Sequence, residues 1–137
     1  MVRDYTEQDL AQLKDIHRRQ GLDYPFPDLS CPLFDTKLVG VQNGIVTQGL
    51  LLRITSEAYL LLDPDKGTPM ERWGLFRSLH RAAAKRAWER GFDDVHAYLP
   101  PEIEKHFAKR LLRLGWQKDR WQSYFREIDS SDAREVT

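Results

Sequence analysis

The sequence predicts a mixed α/β (α+β) fold, a mostly antiparallel sheet flanked by helices. Three observations predict it. Asn43-Gly44 sits between two β-rich runs, "TKLVGVQ" and "IVTQGLLLRI", and Asn-Gly accepts the positive φ angles of a tight hairpin. Two amphipathic stretches, "ERWGLFRSLHRAAAKRAWERG" and "EIEKHFAKRLLRLG", bracket a short strand, "FDDVHAYL". A strand, a helix and another short apolar run in that order require a crossover, which is right-handed in nearly all sheets.

Each element has a local cause. "MVRDY" reads as a short strand. Thr6 then precedes Glu7 and Asp9, an N-terminal capping signal, and Leu10, Leu13, Ile16 and His17 recur at helical spacing until Gly21. The first helix is expected over 7–20. "LDYPFPDLSCPLFD" holds three prolines and is expected as extended loop, with Tyr24, Phe26 and Phe34 lidding a core. After the hairpin, "TSE" is expected to turn the chain and "AYLLLD" to form a third antiparallel strand, buried on both faces because its apolar run is unbroken.

The next helix carries Trp73, Phe76, Leu79, Ala83 and Ala87 on one face, and Arg77, Arg81 and Lys85 on another. Its three consecutive alanines suit close packing on a sheet. In the last helix Ile103, Phe107, Leu111 and Leu114 share a side, with Pro101 near its start and Gly115 beyond its end. "WQKDRWQSYFREI" reads as one or two aromatic strands. Residues 1–128 form one expected domain, and 129–137 a polar, frayed tail.

The chain has 137 residues, enough for one core, with 41% hydrophobic and 31% charged residues, a soluble globular balance. No apolar run approaches a membrane span, and the first ten residues lack a signal-peptide core. One cysteine, Cys31, excludes an internal disulfide, and the expected setting is cytoplasmic. His17, His80, His96 and His106 show no metal-ligand spacing, so no metal site is expected. The formal net charge is zero, yet residues 66–126 hold 14 Lys/Arg against 7 Asp/Glu. That excess suits an anionic ligand or a solvated helix surface. There is no nucleic-acid-binding motif, so a nucleic-acid partner is not expected.

The stretch "LLLDPDKG…WGLFRSLHRAAAKRAWERGFDDVHAYL…FAKRLLRLGW" resembles the GNAT superfamily of N-acetyltransferases. In that family a strand ends near "DP". A pyrophosphate-binding loop and a long helix ending in "RGF" follow, then a strand and a helix ending in "LGF". Here those last marks are Arg90-Gly91-Phe92 and Leu114-Gly115-Trp116. The resemblance covers about residues 1–128. It implies an acyltransferase that moves an acetyl or acyl group from acetyl-CoA, or another acyl-CoA, to a small-molecule or peptide amine. It also implies that Leu61 and Leu62 border the pantetheine. Lys66, Gly67, Thr68, Arg72, Gly74 and Arg77 would then surround the pyrophosphate, where backbone N–H groups and a helix N-terminus favour anions.

The chain departs from the family pattern at three places. Counting back from Gly91, Phe76 and Glu71 fall on the positions of a small residue and an arginine. Pro100-Pro101-Glu102 follows the fifth strand where many members place an asparagine. Leu111 stands where many carry a general-acid tyrosine. The remaining acid–base candidates are Glu57 at the start of the fourth strand, and His96 and Tyr98 on one face of the fifth. The alternative is a catalytically silent domain of the same fold, binding a ligand or a protein partner.

Overall fold

A computed structural model describes residues 1–134 of the chain. It is mixed α and β. In chain order the elements are β1 (Val2–Asp4), a 3-10 turn (Glu7–Asp9), α1 (Leu10–Gln20), β2 (Phe34–Gln42), β3 (Ile45–Arg53), β4 (Ser56–Glu57), α2 (Pro69–Glu89), β5 (Val95–His96) and α3 (Pro101–Arg113). A last 3-10 turn spans Ser130–Ala133. Contacts divide the chain into two compact units, which meet between Tyr98 and Leu99 in the sequence.

In the first unit β1, β2 and β3 form an antiparallel sheet in that order. The hairpin forms where Asn43-Gly44 places it, with φ of 52° and 76° at those residues. That pair of positive angles matches the strand twist. The register pairs Gln42 with Ile45 and Val41 with Val46, and an irregularity at Gly40/Val41 inserts Thr47 as an extra residue on β3. Leu13 of α1 packs with Leu29, Val39 and Val46, and Tyr5, Leu10, Ile16, Phe26, Phe34, Val41 and Leu51 surround them. The proline-rich segment thus closes one side of the core through Leu29, Phe26 and Phe34. Gly49 lets α1 approach, since a Cβ there would lie 2.9 Å from Leu13 Cδ2.

The entry to α1 is held electrostatically. Arg3 Nη1 and Nη2 donate to the two oxygens of Asp9, each at 2.8 Å, and Asp9 also accepts from the Thr6 backbone N–H at 2.9 Å. Asp9 is the buried charged residue of this region. The Arg3 guanidinium and the Thr6 N–H hold its carboxyl far below the usual carboxylate range.

Three expectations are corrected. Residues 58–63 are not a third antiparallel strand. The strand is confined to Ser56–Glu57, the expected turn, and it pairs in parallel with β5. A two-residue hairpin after β3 would need positive φ, and neither Ile54 nor Thr55 adopts it. The apolar run that follows is exposed rather than buried, with Leu61 at 94%. Second, α2 fully buries none of its side chains, and its three consecutive alanines are exposed. Third, the aromatic run after Gly115 contains no strand, and Trp121, Tyr124 and Phe125 are exposed. Aromatic β-propensity reflects packing on a neighbouring strand, which this run lacks.

In the second unit Leu111 is buried, and Leu114 caps α3 with Trp116 N–H donating to the Leu111 carbonyl at 3.1 Å. Asp129, in the expected polar tail, caps the final 3-10 turn by accepting from Ser131 N–H at 2.7 Å, and Arg126 pairs with Asp132. Residues 135–137 of that tail lie outside the described residues. Among the described residues no helix is long and apolar enough to cross a membrane.

Candidate functional site

Two neighbouring stretches of the first unit carry the candidate residues. The first is the β4–β5 ribbon. Its register sets Ser56 opposite Val95 and Glu57 opposite His96, and Ala58 N–H donates to the His96 carbonyl at 2.7 Å. The assigned strands end at Glu57 and His96, so Tyr59–Leu62 belongs to no strand. Partnered residues of a ladder present side chains to the same face, and alternate residues return to it. That rule puts Glu57 and His96 on one face of the ladder, and contacts add Asp94, Tyr59 and Tyr98.

Contacts support the grouping. His96 Nε2 lies 3.4 Å from Asp94 Oδ2. The Glu57 carboxylate faces the Tyr59 hydroxyl and pushes its pKa above the ordinary phenol value, with Tyr98 adding a smaller effect in the same direction. Hydrogen bonding to the carboxylate favours the neutral phenol, because ionising it would set two negative charges together. The ribbon is anchored from β3. Arg53 donates through Nη2 to Asp93 and through Nη1 to Asp94 Oδ1, the latter at 3.3 Å. The Arg53 side chain is only a quarter exposed. Its bond to Asp93, seconded by Asp94, raises its pKa against the cost of burial.

The second stretch is the loop into α2. Its groups are engaged with one another. Asp65 N–H donates to Asp63 Oδ1 at 2.9 Å. Gly67 has φ of 71°, a left-handed turn that suits glycine. Thr68 is the N-cap of α2: its Oγ1 accepts from Glu71 N–H at 3.1 Å, and Glu71 Oε1 accepts from Thr68 N–H at 3.3 Å. This is the reciprocal capping box, strengthened by Pro69 at the first helical position. Arg72 turns back onto the loop, donating through Nη1 to the Lys66 and Gly67 carbonyls at 3.2 and 2.6 Å.

Further along α2, Gly74, Arg77, Ser78 and Arg81 line an open groove. A Cβ at Gly74 would meet nothing within 4 Å, so the glycine leaves its end of the groove open. Phe76 lies on the stripe with Trp73 and His80, with ring centroids 5.7 and 6.0 Å away. It does not line the groove.

Of the expected site residues, Glu57 and His96 therefore pair on the ribbon, with Tyr98 two residues beyond. Lys66, Gly67, Thr68 and Arg72 share the loop, while Gly74 and Arg77 line the helix groove. Leu61 and Leu62 are exposed beside the end of β4. Tyr59, Asp94 and Arg53 join the site although sequence reasoning did not select them. Tyr59 and Asp94 were findable as residues two removed from Glu57 and His96. Arg53 was not, because its partners lie 40 and 41 residues away.

Among the described residues no cluster of three or more His, Cys, Asp or Glu side chains could hold a metal ion. Comparison with family models, curated proteins and solved structures finds no match to the chain.

Proposed function

We propose that the chain is a GNAT-like acyltransferase that moves an acetyl or acyl group from an acyl-CoA to an amine. The observation that carries this reading is the set of proton-transfer groups Glu57 and His96, paired where a parallel ladder ends, with Tyr98 two residues further on. The amine nitrogen attacks the thioester carbonyl. A C–N bond forms, the C–S bond breaks, and a proton must leave nitrogen while the thiolate gains one. His96 or Glu57 is suited to take the amine proton, and Tyr98 to give one to sulfur. The backbone of Tyr59–Leu62, outside any strand, offers polar groups to an extended thioester arm. Lys66, Arg72, Arg77 and Arg81 supply positive charge for its phosphates.

A second reading is a catalytically silent domain that binds a ligand or protein partner. The capping box favours it. Thr68 and Glu71 already satisfy donors at the α2 N-terminus, and Glu71 places a carboxylate where a phosphate would sit.

Calorimetric titration with acetyl-CoA and CoA, on wild type and Arg72→Ala, tests the first reading, followed by turnover on a panel of small and peptide amines. Heat on binding that the variant weakens, together with thiol release, is expected of the enzyme. Absence of binding at millimolar ligand overturns the acyl-CoA reading. Binding without turnover favours the silent domain.

A further inference from the structure

Arg53, Asp94 and His96 form a chain of contacts across three segments of the first unit. Arg53 closes β3, Asp94 precedes β5, and His96 lies on β5 beside Glu57. The Arg53 fork grips Asp93 with one nitrogen and Asp94 Oδ1 with the other. The second oxygen of Asp94 is the one that meets His96 Nε2, at 3.4 Å. The carboxylate is thus held from behind by one cation and faces the imidazole from the front. His96 is the least exposed member of the chain after Arg53, at 29% for its side chain.

We propose that Asp94, fixed by Arg53, is a positioning residue that sets the orientation and tautomer of the His96 imidazole. A carboxylate at Nε2 favours the proton on that nitrogen, which leaves the electron pair of the neutral ring on Nδ1. The ring then enters proton transfer in one defined form. The groups around His96 include Glu57 across the register, Asp94 just before β5, Tyr98 just after it, Tyr59 beside Glu57, and Arg53 behind Asp94. Asp93 takes the other arm of Arg53. The catalytic consequence rests on the acyltransfer reading, but the positioning itself does not.

The test is long-range 1H–15N correlation of the histidine rings in the intact chain, for wild type, Asp94→Asn, Asp94→Glu and Arg53→Gln. The neutral ring of wild-type His96 is expected as the Nε2–H tautomer. Asp94→Asn should lose that preference, Asp94→Glu should retain it, and Arg53→Gln should weaken it. Unchanged signals from His17, His80 and His106 report an intact fold. An His96 spectrum identical in wild type and Asp94→Asn overturns the proposal, as does loss of the tautomer in Asp94→Glu with the fold intact. If an amine substrate is turned over, Asp94→Asn should lower kcat roughly 100-fold with little change in KM. It should also change the shape of the pH profile, which a merely structural role would leave alone. Failure of acetyl-CoA to bind, with the tautomer still dependent on Asp94, removes the enzyme reading and leaves this one standing.

Discussion

The Arg72 guanidinium donates to the Gly67 carbonyl at 2.6 Å, immediately upstream of the cap formed by Thr68 and Glu71. The most basic part of the loop is thereby spent on its own backbone, and a carboxylate stands at the helix N-terminus. Anion binding there competes with Glu71. Glu71→Gln keeps an acceptor for Thr68 N–H and removes the charge. It should tighten acetyl-CoA about two- to fivefold, the size of a helix-terminus charge effect, as read by calorimetry at low salt.

Thr68→Ala removes the other half of the box. The loss should be about 1 kcal/mol. Because α2 fully buries no side chain, the effect should be local. Hydrogen exchange should quicken in the first turn of α2 and stay unchanged in β2.

Gly49 and Gly74 should respond oppositely to alanine. At Gly49 the added methyl meets Leu13 in the core, so Gly49→Ala should cost about 1–3 kcal/mol in urea unfolding. At Gly74 the methyl enters open space on an exposed helix, so Gly74→Ala should strengthen α2 by about 1 kcal/mol. The same methyl fills the groove beside Arg77 and Arg81 and should weaken any phosphate bound there.

Acid should destabilise the first unit through Asp9. Its folded carboxyl titrates far below its ordinary value of 3.8, so its contribution is complete above that value and is lost as pH falls toward the depressed one. Between pH 7 and 5 this pair should leave the urea midpoint unchanged, and below about pH 4 the midpoint should fall. Asp9→Asn should lower stability at pH 7 and flatten the acid limb.

Tyr59 provides an optical check on the ribbon. Its phenol is raised chiefly by Glu57. Glu57→Gln should lower the pH at which the Tyr59 absorbance ionises, and Tyr59→Phe should remove that component. A titration unchanged by Glu57→Gln would separate the two residues.

Where the fold was legible in the sequence, the signal was local. Asn43-Gly44 predicted the hairpin because the required φ angles are a property of two residues. Gly21, Gly91 and Gly115 ended helices for the same reason. "AYLLLD" misled because an apolar run reports a tendency to be buried, whereas strand formation depends on a partner, and the partner proved to be β5 over two residues. The ribbon site was half legible. Alternation linked His96 to Tyr98 and could have added Asp94, but Arg53 depends on the closure of a long loop. The expected helix starts at Glu71, and α2 begins two residues earlier, at Pro69. The role of Glu71 as the partner of Thr68 required the capping geometry.

β3 pairs with β2 on one side and ends the three-stranded sheet on the other, with Leu50 and Leu52 exposed along it. Among the described residues no strand pairs with the outer edge of β3, and that edge forms a template on which another extended chain can add. Two features work against indiscriminate growth: the extra residue at Thr47 bends the strand, and Arg53 at its end is already committed to Asp93 and Asp94. Concentrated solutions of an Arg53 variant would lose one of those guards. Self-association through β3 is therefore the first behaviour to monitor when that residue is changed.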